Sequence, residues 1–209
     1  MNSGLLSIIF RIAVVIMSVV VHEVSHGAVA NALGDQTAKD LGRLTLNPLK
    51  HLDPFGSVIL PLLLSFTGFI FGYAKPVPYN PANLRNRRYG PAMVGLAGPF
   101  ANIALAVLFG LVIRVLPAGL PGSLLPELLA TIVIVNLALA FFNLIPVPPL
   151  DGHWLLMAFL PARAYALKVF LYKNSLVMLL LAIFIIFPLL MPLITGSFSL
   201  IVGQGLVGF

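Results

Sequence analysis

The run His22-Glu23-Val24-Ser25-His26 sets two imidazoles and a carboxylate within five residues. On a helix, positions i and i+4 share one face about a turn apart. His22 and His26 can therefore aim ring nitrogens at one metal ion, with Glu23 placed to take a proton from water bound to it. Three fixed positions also match by chance, so the setting decides their weight. From Leu5 to Leu33 the chain is almost wholly apolar, and its only charges are Arg11 and Glu23. A carboxylate between two histidines is expensive in lipid unless it has a partner or a job. The plainer alternative is a pair of packed histidines and a protonated Glu in a helix bundle.

The elements that must position this motif are membrane segments. Of 209 residues, 60% are hydrophobic and 9% charged, against about 25% charged in a soluble domain. Apolar stretches of membrane-spanning length recur. The net charge of +6 then reports topology and anionic lipid rather than nucleic acid. With no cysteine, disulfides and thiol catalysis are excluded. The first apolar run is too long for a cleaved signal peptide, lacks a basic segment ahead of it and carries the motif itself. The expected fold is an all-α polytopic membrane protein of about five to six segments, one integral-membrane domain over 1–209. Its catalytic core spans about 5–161, followed by C-terminal membrane segments over 162–209.

Along the chain, Leu5–Leu33 is the first helix, ended by Gly34-Asp35. The polar stretch to Pro54 holds Lys39, Arg43, Lys50, His51 and Asp53, and the alternation Arg43-Leu-Thr-Leu-Asn47 suggests a short strand near 41–47. Phe55–Tyr73 is apolar but broken by Gly56, Pro61, Gly68 and Gly72, so it reads as a span or a re-entrant segment. Pro76, Pro78 and Pro81 favour extended chain before the span Pro91–Leu116. Leu128–Ile145 is the next span, stopped by the prolines of Asn143-Leu-Ile-Pro-Val-Pro-Pro-Leu-Asp-Gly152. Leu176–Phe187 follows, with an apolar tail from Pro188 that crosses again or lies in the interface.

Zinc needs a third protein ligand beside two histidines. His51, Asp53, Asp151 and His153 are the main candidates. Asp151 is attractive because a proline segment holds it at membrane depth, where a lone acid wants a cation. For it to meet His22 and His26, the C-terminal ends of the first helix and of Leu128–Ile145 must share a side. A full crossing by Phe55–Tyr73 forbids this, and a re-entrant segment permits it. Re-entrance also gathers ten of the 12 basic residues on one side, all but Arg11 and Arg114, and the positive-inside rule names that side cytoplasmic.

His22-Glu-Val-Ser-His26 in a membrane helix, with Asn143-Leu-Ile-Pro-Val-Pro-Pro-Leu-Asp-Gly152 downstream, resembles the site-2 protease family of intramembrane zinc metalloproteases. Gly98-Pro-Phe-Ala-Asn102 is similar to that family too. Asn47-Pro-Leu-Lys-His-Leu-Asp-Pro-Phe-Gly56 and Gly72-Tyr-Ala-Lys-Pro-Val-Pro-Tyr-Asn80 resemble its compact prokaryotic branch. The resemblance covers about Val14 to Pro161 and shows no PDZ or CBS insertion. It implies that His22, His26 and Asp151 bind one Zn2+, that Glu23 is the catalytic base, and that Asn102 and Asn143 line the site and contact substrate or oxyanion. It further implies a prokaryotic inner-membrane location and a membrane-protein substrate cut within or near its transmembrane segment. Each residue also has a plainer role. Asn102 can bond between helices, Asn143 can cap its helix, His51 and Asp53 can hold their loop, and His153 can sit in the interface near Trp154. Two other functions fit parts of the pattern: a divalent-metal transporter and a non-catalytic membrane binding protein. An intact Glu23, and polar groups gathered near one end of the spans, weigh against both.

Overall fold

A computed structural model describes residues 3–51, 76–116 and 124–203. Among these residues the chain is helical and contains no strand. Four helices are long and apolar enough to cross a membrane: Leu5–Ala32, Gly90–Val115, Leu125–Asn143 and Ser175–Val202. In lipid each backbone N–H and C=O must be satisfied within its own segment, which is why these runs are helices. Large apolar side chains such as Ile8, Ile12, Phe100, Leu108, Phe184 and Leu189 stand exposed on their outer faces.

Helix α1 (Ser3–Ala32) carries the histidine motif. It ends at Gly34, where φ is 113°, a left-handed turn that glycine takes without a Cβ penalty. The N–H of Asp35 then reaches back to Ala30 O at 2.9 Å. A short helix α2 (Thr37–Asp40) follows. Helix α3 (Gly90–Val115) packs on α1 and on α4 (Leu125–Asn143) through Gly95, Gly98, Asn102, Ala106 and Gly110. These fall at three- and four-residue intervals, so one narrow face of small residues lets the backbones approach. Helix α5 (Gly152–Phe159) leads to α6 (Tyr165–Lys173). Then α7 (Ser175–Leu181), a π turn (Ala182–Ile186) and α8 (Phe187–Val202) run on as one candidate span. Ile194, Phe198 and Val202 of α8 form the main apolar core with Ala106, Ile113, Leu129, Val133 and Leu137.

Two expectations change. Arg43–Asn47 forms no strand: the Arg43 N–H turns back to Ala38 O at 2.9 Å and the Asn47 N–H bonds Thr45 Oγ1 at 3.2 Å. Those donors serve the local loop, so no ladder forms. The C-terminal region is also one span rather than two pieces divided at Pro188. Pro188 lies just past the π turn and Pro192 farther along α8, both inside one continuous span, as membrane helices tolerate. The segment 55–73 lies outside the described residues. Its flanks do return together, because the Arg85 N–H donates to Leu33 O at 2.9 Å.

That junction is held by one carboxylate. Asp35 has no accessible surface. It accepts from Thr37 Oγ1 at 2.5 Å, the Asn80 N–H at 2.7 Å and Asn83 Nδ2 at 2.8 Å. Burial alone would raise its pKa, but the bonds from Thr37, Asn83 and Asn80 outweigh it and hold the carboxyl below its ordinary 3.8. Asp35→Ala is expected to lower stability by about 1–3 kcal/mol, read as a reduced Tm in detergent. A depressed acid stabilises fully above its unfolded pKa and loses that contribution as pH falls through the folded value. The Tm gap between wild type and variant should therefore narrow on acidification.

Candidate metal centre

His22 and His26 point from one face of α1 into the small-residue face of α3, where both are buried. The proline segment after α4 brings Asp151 to them. Its Oδ2 lies 2.9 Å from His22 Nε2 and 3.3 Å from His26 Nε2. Among the described residues these three are the one group able to share a metal ion, with ligand atoms within 4.8 Å of one another.

The far ring nitrogens settle what the near ones can do. His26 Nδ1 lies 2.7 Å from Val94 O, which can only accept, so Nδ1 carries the proton. His22 Nδ1 lies 2.6 Å from Asn102 Oδ1. The Asn102 orientation is fixed in turn, because its Nδ2 donates to Asn136 Oδ1 at 2.7 Å and to Ser18 O at 3.3 Å. Asn136 Nδ2 continues the chain to Ser18 Oγ at 2.9 Å. In their neutral forms both imidazoles would turn Nε2 lone pairs toward an Asp151 oxygen that also offers only lone pairs. Two added protons or one cation must sit among them.

The site fits zinc. Ligand bonds of about 2.0–2.2 Å in a tetrahedron imply ligand–ligand distances of about 3.3 Å, close to those found. Two nitrogens and a carboxylate oxygen form a donor set that zinc takes in catalytic sites. Space is kept by Gly98, where a Cβ would stand 2.5 Å from His26 Nε2 and 2.6 Å from His22 Nε2. Next to it, a Cβ on Gly95 would stand 3.0 Å from Asp151 O.

Comparison with known proteins identifies a family. Residues 118–187 match the model for Peptidase family M50. A candidate zinc metalloprotease of Bacillus subtilis, YwhC, is 36% identical, covering 78% of this chain and 78% of its own length. The chain belongs to peptidase family M50. Rip2 of Mycolicibacterium smegmatis, likewise a candidate zinc metalloprotease, is 34% identical over 66% of this chain and 52% of its own length. Rip2 of Mycobacterium tuberculosis H37Rv is 30% identical over 73% and 61%. No solved structure matches the chain at a significant level.

The other residues singled out from the sequence fall as follows around this M50 centre. Glu23 is half-buried, and its Oε2 accepts the Val77 N–H at 2.8 Å. Asn143 ends α4 with Nδ2 bonded back to Leu139 O at 3.0 Å. His51 is buried 2.8 Å from Thr45 O and holds its own loop. His153 is buried rather than interfacial, with Nδ1 2.6 Å from Leu150 O and its ring tilted on Trp154 at 4.4 Å. Asp53 lies outside the described residues. Sequence reasoning missed Ser18, Asn136, the Val94 carbonyl and the Val77 amide. Asn136 carried a signal, as an amide in the middle of an apolar helix. The two backbone groups carried none.

Two substitutions test the centre. Gly98→Ala should abolish zinc retention by wild-type-like folded protein, measured as metal content after gel filtration and helical circular dichroism. Asn102→Ala should lower zinc affinity by about 10–100-fold, the usual cost of losing the group that orients a ligand histidine, measured by chelator competition.

Proposed function

We propose that this M50 protein is an intramembrane zinc metalloprotease that hydrolyses a peptide bond within or beside the transmembrane segment of a membrane protein. The observation that carries this reading is the convergence of His22 Nε2, His26 Nε2 and Asp151 Oδ2, with Glu23 one residue from a ligand, in a helix of membrane-spanning length. His22, His26 and Asp151 would hold one zinc per chain. Bound there, zinc supplies a Lewis acid that makes water a nucleophile near neutral pH.

The protein's own groups do the rest. The Val77 N–H fixes one oxygen of Glu23 and leaves the other to receive a proton from the attacking water. Glu23 then returns that proton to the leaving nitrogen, which a peptide nitrogen needs before it can depart as an amine. The Ser18–Asn136–Asn102 chain holds His22 in one tautomer and one rotamer. That role uses every polar atom of Asn102, so positioning His22 is the function assigned to it in place of substrate contact. Asn143, with its amide nitrogen bonded within α4, is assigned to shaping the helix end.

The same reading orients the chain. Lys39, Lys50, Arg85, Arg87 and Arg88 gather in the connections at the end of the bundle where Asp35 and Arg85 adjoin α1. By the positive-inside rule this end is cytoplasmic. One domain then spans the whole chain, with 162–209 packed as its closing segments.

Glu23→Gln tests the reading directly. The variant should bind zinc as wild type does and lose cleavage of a single-span fluorogenic peptide by more than about 100-fold, the scale of general acid–base catalysis. His22→Ala and Asp151→Ala should lose both zinc and cleavage. Full cleavage by Glu23→Gln would rule out its role as the base.

A further inference from the structure

At the end of the bundle away from the metal centre, α1, α4 and α8 enclose a cavity of about 520 Å3. Its polar lining is Arg11 of α1, Glu127 and Thr131 of α4, and Thr195 and Ser199 of α8. Arg11 stands about three helical turns ahead of His22. Glu127 lies in the first turn of α4, whereas the segment that delivers Asp151 leaves from the last. Val15 and Ile134, also in the cavity wall, are exposed, so the cavity opens toward lipid.

A charged side chain within a span is expensive and calls for a partner. Arg11 lies inside the span Leu5–Ala32, and Glu127 inside Leu125–Asn143. They share one cavity, yet no ion pair joins them, and neither side chain has another partner among the described residues.

The hydroxyls narrow the chemistry. Thr131 Oγ1 donates to Glu127 O, Thr195 Oγ1 to Met191 O and Ser199 Oγ to Thr195 O, each at 3.0 Å. A hydroxyl has one proton to give, so these oxygens have only lone pairs left for the cavity. With the Glu127 carboxylate they form a group of acceptors that wants N–H donors. Arg11 only donates and wants an anion. A primary ammonium beside a phosphate meets both demands. A quaternary ammonium has no N–H to offer, and a wholly anionic headgroup would set like charge against Glu127.

The space beyond indicates what that headgroup is attached to. A second cavity of about 440 Å3 shares Val15 and Val135 with the first and continues to Phe142 and Phe187 with apolar residues alone. Such a continuation suits an acyl chain. Both volumes fall in the range of about 300–1,000 Å3 typical of small-molecule sites, which favours a lipid over a peptide helix about 10–12 Å across.

We propose that this cleft binds one phospholipid with a primary-amine headgroup, of the phosphatidylethanolamine type. Its phosphate would sit on Arg11, its ammonium on Glu127 and the three hydroxyls, and an acyl chain along Val15 and Val135 toward Phe142. The assignment stands apart from the metalloprotease reading.

The test is native mass spectrometry of the full-length protein titrated in detergent with palmitoyl-oleoyl phosphatidylethanolamine, phosphatidylcholine or phosphatidylglycerol. Wild type should hold one ethanolamine lipid per chain, at least about tenfold more tightly than either of the others. Arg11→Gln should weaken that binding at least about tenfold. Glu127→Gln should erase the preference for ethanolamine over choline, and Thr131→Val, which keeps both charges, should narrow it. All three variants should match the wild-type Tm in lipid-free detergent. Equal retention of the three lipids by wild type overturns the proposal, as does a preference that survives both Arg11→Gln and Glu127→Gln. An equal loss of lipid-free Tm in Arg11→Gln, Glu127→Gln and the double variant overturns it too, because the two side chains would then pair with each other. A single-span peptide that displaces the ethanolamine lipid and binds Arg11→Gln more weakly than wild type assigns the cleft to a peptide instead.

Discussion

Three lone-pair donors meeting inside an apolar bundle is the constraint on which the rest of this structure depends. His22 Nε2, His26 Nε2 and Asp151 Oδ2 lie 2.9 and 3.3 Å apart with no donor proton among them in the neutral tautomers. Such a cluster repels itself unless a cation joins it, and burial amplifies the repulsion because little water is present to screen it. The fold holds the cluster together by directional bonds behind it. Val94 O and Asn102 Oδ1 take the outer ring protons, and the proline segment after α4 delivers the carboxylate. In front of it the fold keeps space, by denying a side chain to residue 98. Bonds behind and room in front are separate requirements, and α3 meets both with one face. Its Gly95, Gly98 and Asn102 lie at intervals of three and four residues.

The connection after α1 is a second rigid body tied to the first by two acids. Asp35 gathers Thr37, Asn80 and Asn83, and Glu23 takes the Val77 amide. Both acids therefore grip the same short segment, one at each end. Pro78 lies between the grips and Pro76 just before them, and both are restricted in φ, so little conformational freedom remains there. A base held by a backbone amide on a stiff segment reorganises less when it accepts a proton than one free in a loop. This is the same physical benefit that preorganised dipoles give a transition state.

The grouping of His22, His26 and Asp151 was legible in the sequence because it depends on residue type and spacing. His22, Glu23 and His26 needed only the helical period. Asp151 needed the argument that an acid fixed by prolines at membrane depth wants a cation, together with a count of crossings. Three of the four helices of spanning length, Leu5–Ala32, Gly90–Val115 and Leu125–Asn143, followed from apolar run length. The expectations that changed have different physical causes. Asn102 reads as a site residue, yet its role depends on His22, 80 positions earlier. Arg43–Asn47 alternates like a strand, yet the Arg43 amide is claimed by Ala38. Pro188 reads as a break, yet one helical span continues through it from Ser175 to Val202. Backbone donors such as the Val77 N–H carry no residue-type signal at all.

The Ser18–Asn136–Asn102–His22 chain shows how amides are used at this depth. An Asn facing lipid would leave up to four hydrogen-bonding sites unmet, so its presence in a span demands partners. Here the partners are supplied in a fixed sense. Ser18 O accepts from Asn102, Asn136 Oδ1 accepts from Asn102, and Asn136 Nδ2 donates to both Ser18 Oγ and Ile132 O. With both donors of Asn102 committed, its oxygen is the atom left for His22, and a flip of the amide would set its oxygen against the oxygens of Asn136 and Ser18, acceptor against acceptor. The low local dielectric strengthens each bond and makes each mismatch costlier. Choice of histidine tautomer is thus made by three helices together, and it is made before any metal arrives. A preset Nε2 lone pair spares the site the proton rearrangement that metal binding otherwise requires. The polar residues buried in α1, α3 and α4 are in this sense an extension of the His22 side chain.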